Sequence, residues 1–456
     1  MRTMSDPGDP ICADELDGLF ARFFQGRECA ALAVSGGSDS TALMVLFADW
    51  LKQKGAEPGV HAVLTVDHGL RRESAAEAAA VAGQARSLGF AHATLSWTGP
   101  KPDSGRQAAA RAARYRLMAR HMRRHGLSLL LTAHTADDQA ETLLMRLARG
   151  SGLDGLSAMA PLSHFDADGD VGSDPLRLAR PCLDLPKARL VATLEQRGIA
   201  WIEDPSNQSP VYERTRVRAA RAQLAALGLT TDMLAVSARR LLRARTALEA
   251  TVAAFCAPDA GNLQADPCGY IVVDGPRLRA APAEIALRVL GRVVAAAGGS
   301  QQPVPLAGLE LVAEACTGAV TGSWTLARAK ITATGERVLI EREPGREALP
   351  ELTLLPGEAA LWDGRYRVRA GPGLAAPVVV RALGADGVRQ VRQSLALPPG
   401  APIGALRALP AFWRAGALAA VPPLAVWADD AARAELAAVF VGLSADHPQS
   451  GAAGQD

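Results

Sequence analysis

The chain has 456 residues, enough at roughly 150 residues per domain for about three domains and a large core. Hydrophobic residues make up 49% and charged residues 21%, with Lys+Arg 49 against Asp+Glu 47, which excludes a disordered chain and a histone-like polycation. No run reaches the ~18 consecutive apolar residues of a membrane span, and the six cysteines, at 12, 29, 182, 256, 268 and 316, lack the CxxC spacing of zinc ribbons and paired redox sites. The first residues, MRTMSDPGDPICADELD, are acidic and broken by proline where a secretory signal is basic and then apolar, so the expected location is cytoplasmic with no membrane partner.

In chain order, Cys29–Val34, Val60–Val66, His92–Trp97, Leu127–Ala133 and Leu176–Pro181 read as strands. Amphipathic segments near 40–54, 73–89, 105–125, 137–149 and 186–198 separate them. That rhythm predicts βαβ units, hence an α/β doubly wound parallel sheet with helices on both faces. After Pro205 the pattern changes. Residues 211–256 read as helical, with Arg214, Arg218 and Arg221 spaced to share a face, and 282–297 and 304–316 follow as helices. SWTLARAKITATGERVLIE at 323–341 reads as a β-hairpin around Thr334-Gly335, and EPGREALPE at 343–351 has a linker's composition. Short strands with Pro- and Gly-rich turns continue to about 440. The expected organisation is an N-terminal extension (1–27), the α/β domain (28–215), a mainly helical domain (216–342), a small α+β C-terminal domain (351–440) and a disordered tail (441–456).

A net charge of +2 conceals two basic stripes. Residues 106–125 carry seven arginines and no acid, and 211–247 carry eight against two acids. Stripes of this kind suit a polyphosphate or RNA backbone, whose neutralisation supplies most nonspecific affinity. Solvated faces of arginine-rich helices are the competing reading.

The apolar run CAALAV leads directly into SGGSDST and then into the helical TALMVLFADWL. Gly36 and Gly37 turn tightly without a Cβ, and Ser35, Ser38, Ser40 and the first amides of the helix point donors at one spot, which predicts an anion site. GxxxxGK[ST] is absent, so no lysine of the loop reaches a γ-phosphate as in a Walker motif. The hexapeptide SGGSDS resembles the signature of the PP-loop ATP pyrophosphatases. The resemblance implies ATP bound by Ser35, Gly36, Gly37, Ser38, Asp39 and Ser40 and cleaved between its α and β phosphates. A carboxylate among phosphate-binding groups repels them unless a cation intervenes, so Asp39 is assigned to a Mg²⁺–pyrophosphate.

In TAHTADDQAETLLMRLARGSGLDGLSAM a strand ends at Ala133 and a helix opens near Asp137, placing Asp138, Glu141 and Thr142 at the C-terminal edge of the sheet, where ligands of open α/β sheets bind. Together with VDHGLR (66–71), ARAARY (110–115), RPCLDLPKARL (180–190) and WIEDPSNQSPVYERTRVR (201–218), this segment resembles the tRNA(Ile)-lysidine synthetase family over the first 220 residues. A weaker likeness covers LRALPAFWRAGALAAVPPLAVW at 406–427. The resemblance implies a ligase that adenylates the wobble cytidine of the CAU-anticodon isoleucine tRNA and lets free L-lysine displace AMP. It implies catalytic roles for Asp39, Asp138, Arg111 and Arg114, with Asp138 as the base for the lysine amine and Glu141 as its partner in holding lysine. His134 is implied as an ATP or adenylate hydrogen-bonder, Arg214, Arg218 and Arg221 as tRNA contacts, and Asp204, Ser206 and Asn207 as an element closing over the nucleotide. Monomers and homodimers both occur in the family. Three positions depart from its pattern: Thr135 stands where a second histidine is common, Gln107 where glutamate is, and Thr215 where asparagine follows arginine.

Three other readings compete. A 2-thiocytidine-type enzyme of the same superfamily adenylates the same ring position but needs cysteine pairs for a cluster. A small-molecule amidating pyrophosphatase needs neither basic stripes nor a long C-terminal extension. A catalytically inactive tRNA-binding homologue has no use for an intact Asp39, Asp138 and Glu141.

Overall fold

Alternation of short apolar strands with amphipathic helices builds the first part of the chain. The computed structural model describes residues 8–443 apart from 27, 70–73, 100, 103–104, 166–174, 204–212, 301, 346–347 and 395–396. Two compact units divide them, the first taking the described residues up to Thr246 and the second those from Ala247.

In the first unit, α1 (Leu16–Phe20) precedes β1 (Ala30–Ala33), α2 (Ser38–Gln53), β2 (Ala62–Asp67), α3 (Ser74–Ser87), β3 (Ala91–Ser96), α4 (Arg106–Arg124), β4 (Leu129–Leu131) and α5 (Ala136–Ala148). A short α6 (Leu153–Leu156) leads to β5 (Leu162–Phe165), β6 (Leu176–Ala179) and α7 (Lys187–Gln196). The strands form one sheet in the order β3-β2-β1-β4-β6-β5, parallel except for β5, which pairs antiparallel with β6. The central strands read AALA and LLL because both their faces are covered. Phe20, Phe47, Trp50 and Leu190 pack on one face, and Met118, Met122 and Phe165 on the other.

The N-terminal residues are tied down by α7. Arg189 donates to the carbonyls of Asp9 and Pro10 and to both carboxylate oxygens of Glu15, and Ile11 donates to Thr193 Oγ1 at 2.9 Å. The bond from Arg189 holds the Glu15 carboxyl down to about 2.

The helical stretch expected at 211–256 is three helices, α8 (Glu213–Ala219), α9 (Arg221–Ala226) and α10 (Thr231–Cys256). Gly228, at φ +84°, supplies the left-handed residue that ends α9.

In the second unit, strands Leu263–Ala265, Ile271–Asp274, Gly322–Leu326, Ala329–Ala333 and Arg337–Arg342 form an antiparallel sheet covered by helices Ala283–Gly298 and Leu306–Thr317. Residues 216–342 therefore combine helices with a sheet. The segment expected as one hairpin is a three-stranded meander. Its first turn is Ala327-Arg328, both at positive φ (45° and 66°), a two-residue turn of the kind usually marked by Asn-Gly. Residues 352–440 add a five-stranded and a three-stranded sheet around Trp362, Tyr366 and Phe412.

One buried carboxylate holds this unit together. Asp363, fully buried, accepts from Arg342 Nε (2.9 Å), Arg365 Nε (2.8 Å) and Arg328. Arg365 is itself fully buried, and its Nη2 donates to the Ala408 carbonyl at 2.6 Å. Removing the carboxylate strands buried guanidinium charge, so Asp363→Ala is expected to cost about 3–5 kcal/mol, read as a lowered Tm in thermal unfolding of the full chain.

Candidate active site

Strand order reverses between β1 and β4: β2 and β3 lie on one side of β1, and β6 and β5 on the far side of β4. Such a reversal opens a crevice at the carboxyl ends of the two strands. The chain leaving β1 is SGGSDS, and the chain leaving β4 is TAHTADD.

The first loop is shaped by its own polar groups. Gly36 adopts φ +90°, and a Cβ there would lie 2.5 Å from Ile202 Cδ1. Its carbonyl accepts from the Ile202 amide (2.8 Å) and from Thr41 Oγ1 (3.1 Å). Ser40 Oγ accepts from the Ser35 amide (3.2 Å) and donates to the Gly37 carbonyl (3.1 Å). Gly37 is the N-cap of α2, and no side chain caps that end, which leaves first-turn amides and the positive pole of a long helix facing the crevice. Asp39, in this first turn, accepts from Ser38 Oγ at 3.2 Å and from Lys187 Nζ at 3.1 Å. Burial raises the Asp39 pKa, and the charge of Lys187 works against that rise.

Thr135 is the N-cap of α5 and 1% exposed. Its amide (2.9 Å) and hydroxyl (3.0 Å) both donate to Asp138 Oδ2, so one oxygen of Asp138 is committed to the cap while the residue lines the cavity. The departure at Thr135 is thus a capping residue that orients Asp138. Glu141, one turn on and 3% exposed, receives a two-pronged bond from Arg218, with Nε at 2.6 Å and Nη2 at 3.1 Å. Asp137 accepts the Lys187 amide at the start of α7 (2.7 Å) and pairs with Arg221. Asp39, Thr135, Asp137, Asp138, Glu141, Lys187, Arg218 and Arg221 line a cavity of about 210 Å³.

His134 donates to or accepts from Thr132 Oγ1 through Nδ1 at 3.0 Å. Burial lowers its pKa to about 4; Asp138 opposes the fall, while Arg180, Arg111 and Arg214 add to it, so the ring is neutral at physiological pH. Arg111, stacked 5.2 Å from the Tyr115 ring, and Arg214 both carry buried nitrogens with no hydrogen-bond partner among the described residues: Nε of Arg111, and Nε and Nη2 of Arg214. Unpaired buried donors of this kind are open to an anion. Arg114 Nη2 lies 3.4 Å from His68 Nε2, and His68 meets the Trp97 edge at the neighbouring strand ends. Burial lowers the His68 pKa to about 4. Cys182, fully buried and close enough to feel Asp39, has its thiol pushed up to about 12 by burial, so it stays protonated.

The structure therefore brings Ser35, Gly36, Gly37, Ser38, Asp39 and Ser40 to one side of the crevice and His134, Asp138 and Glu141 to the other. Arg214, Arg218 and Arg221 each meet a different group there. Arg214 lies near enough to His134 to act on its charge, Arg218 is on Glu141 and Arg221 on Asp137. Asp204, Ser206 and Asn207, and the side chain of Gln107, lie outside the described residues. Lys187 was missed by sequence reasoning, although it stands in RPCLDLPKARL directly after the proline that opens a helix at the sheet's ligand edge. It supplies from α7 the cation that the SGGSDS loop lacks.

For Mg²⁺ the fit is partial in a way that suits a nucleotide. Among the described residues no three His, Cys, Asp or Glu side chains gather to cage an ion. One carboxylate, Asp39, sits beside a phosphate-type cradle, and Mg²⁺ typically takes one or two carboxylates with the rest of its shell from phosphates and water.

The PP-loop domain family matches residues 9–224. Across 310 residues the chain is 47% identical to a tRNA(Ile)-lysidine synthase of Bradyrhizobium sp., covering 67% of this chain and 84% of that one. It is 44% identical over 352 residues to the tRNA(Ile)-lysidine synthase of Rhodopseudomonas palustris, covering 74% and 97%. Against the tRNA(Ile)-lysidine synthase of Ruegeria pomeroyi it is 40% identical over 403 residues, covering 86% and 87%.

Proposed function

The chain belongs to the tRNA(Ile)-lysidine synthase family, ligases built on an ATP-binding PP-loop domain, and on that premise we propose how its residues share the reaction. The C2 carbonyl oxygen of the wobble cytidine in a CAU anticodon attacks the α-phosphorus of ATP. The bond from that phosphorus to the β-phosphate oxygen breaks, pyrophosphate leaves, and AMP remains on the cytidine. The ε-amine of free L-lysine then attacks C2, the C2–oxygen bond breaks with AMP as leaving group, and the amine proton passes to Asp138. The product, lysidine, changes codon reading from AUG to AUA.

What supports this division most is placement: the SGGSDS turn and the Asp138–Glu141 turn leave adjacent parallel strands and face one crevice. The open amides and hydroxyls of the turn through Ser35, Gly36, Gly37, Ser38 and Ser40 cradle the pyrophosphate, the Ser35 amide and the Ser40 hydroxyl being donors spent inside the turn, and Lys187 offsets its charge. Asp39 would hold Mg²⁺, whose contribution when bound is to screen the phosphate charge. Arg111, Arg114 and a neutral His134 surround the adenylyl group as it transfers, and Glu141 holds lysine. No helix among the described residues is long and apolar enough to cross a membrane, which suits the cytoplasmic location proposed here. Incubation with ATP, lysine and an isoleucine tRNA transcript, followed by mass spectrometry of the wobble nucleoside, tests the reading. A cytidine of unchanged mass would overturn it.

The α4 stripe and the arginines at 214, 218 and 221 are the proposed RNA contacts. Each neutralised phosphate releases counterions, so tRNA affinity should fall by about 10³-fold or more between 50 and 200 mM salt if some six phosphates are engaged. Replacing the exposed Arg116 and Arg124 by Gln should flatten that dependence by about one unit of log–log slope per lost contact, measured by filter binding across a salt series.

A further inference from the structure

Every carboxylate in the cavity already has a partner from the chain itself. Lys187 is on Asp39, Arg221 on Asp137, Arg218 on Glu141, and Thr135 on Asp138. The pairing at Glu141 is the most complete, since two guanidinium nitrogens meet its two oxygens in a fork.

Exposure within these pairs is lopsided. The Glu141 side chain is 4% exposed while that of Arg218 is 43% exposed, and Asp137 at 14% faces Arg221 at 49%. The carboxylates are fixed inside and their cations come from the solvent side. A buried carboxylate left bare is strongly disfavoured, so Glu141 exchanges one cation for another far more readily than it stands empty. The cavity in front of it is lined by Asp138, the group proposed to accept the lysine proton.

We infer that Arg218 is an internal occupant of the amine site: its guanidinium fills the position on Glu141 that the lysine ammonium takes during the reaction, and RNA docking is what vacates it. The inference rests on the lysidine-forming reading above. Arg218 and Arg221 belong to the basic stripe that would face RNA, and an arginine fork suits a phosphate as well as it suits a carboxylate. When the RNA backbone arrives, the two arginines gain phosphate partners, Glu141 and Asp137 lose their internal cations, and the site becomes attractive to free lysine. Lysine is then admitted only beside RNA, where there is a C2 carbon to attack. By linkage, whatever factor RNA adds to lysine affinity, lysine adds to RNA affinity. Arg218 is accordingly a residue that sets the order of binding, acting through Glu141.

The test is calorimetric titration of L-lysine into the full chain, alone and with a saturating anticodon stem-loop RNA, for the unmodified protein and for Arg218→Met. The expected result for the unmodified protein is at least tenfold tighter lysine binding with RNA. Arg218→Met should bind lysine without RNA about as tightly as the unmodified protein does with it, and RNA should add little further. Equal lysine affinity with and without RNA in the unmodified protein overturns the inference. So does loss of lysine binding in Arg218→Met under both conditions, which would make Arg218 a ligand of lysine. If Arg218→Met does not fold, the two titrations of the unmodified protein still decide. Lysidine formation by that protein is measured alongside: lysidine with RNA-independent lysine binding defeats this inference alone, whereas no lysine transfer to tRNA defeats the functional reading beneath it.

Discussion

Asp39→Ala abolishes the formation of AMP and pyrophosphate from ATP, with a loss expected at about 10³-fold or more, while tRNA binding stays within twofold of the unmodified protein. The reasoning begins with charge. Asp39 is the one carboxylate in the first turn of α2, among serine hydroxyls and a helix N-terminus that otherwise attract anions. A negative group in that position serves binding of a polyphosphate only through a cation, and the structure shows one cation already at it, Lys187. Deleting the carboxylate both removes the proposed seat of Mg²⁺ and frees Lys187 from its present orientation. Loss of a single preorganised charge-stabilising group typically costs about 10²–10³ in rate, and here two are disturbed together. RNA contacts are proposed elsewhere, on α4, α8 and α9, so filter binding should be nearly unchanged. Detection of ADP as product, from this variant or the unmodified chain, would overturn cleavage between the α and β phosphates.

Asp138→Asn separates the two halves of the reaction. Asp138 Oδ2 is held by the Thr135 amide and hydroxyl, and an asparagine carbonyl oxygen accepts the same two bonds, so the cap of α5 survives the change. What is lost is the capacity to take a proton. Removing a general base costs about 10²–10⁴ in rate, and the loss should fall on lysine transfer. Pyrophosphate release should persist for one turnover, leaving adenylated tRNA, while lysidine does not accumulate. Raising the pH should restore part of the rate: below the reference pKa of about 10.4, each added pH unit brings roughly tenfold more free amine, which needs no acceptor in the protein to become nucleophilic. Quenched-flow measurement of pyrophosphate against lysidine distinguishes the steps. If Asp138→Asn stops pyrophosphate release as fully as Asp39→Ala does, Asp138 serves the nucleotide, and Glu141 becomes the group that activates lysine.

The parallel sheet was legible because buried central strands such as AALA and LLL are apolar throughout and are separated by amphipathic helices of ordinary length. Strand β5 escaped notice: LSHF is a four-residue antiparallel edge with polar positions, too short to carry an alternating signal. The meander in the second unit was read as a single hairpin because its first turn is Ala327-Arg328, where the left-handed backbone is imposed by strand pairing and not announced by Gly or Asn. In the site, residues on one loop were legible and residues facing one another were not. SGGSDS and TADDQAET each declare themselves locally. That Lys187 would reach Asp39, or that Arg218 and Arg221 would turn inward onto Glu141 and Asp137, depends on helices brought together by the sheet, and no spacing in the sequence encodes it.

The bond from the Ile202 amide to the Gly36 carbonyl bears on how the protein is made. Synthesis runs from the N-terminus, and domains generally fold as their last residues emerge. When a nascent chain has exposed only as far as α5, strands β1 to β4 and their helices are available, yet β6 is not there to cover β4, and Ile202 is not there to close the turn at Gly36. The proposed nucleotide cradle is thus finished by a residue translated long after the loop itself. A ribosome-stalled chain that has exposed residues only as far as 198 would hold all six strands of its sheet yet lack the bond that closes the turn at Gly36, so its affinity for ATP is expected to be weaker than that of the finished unit.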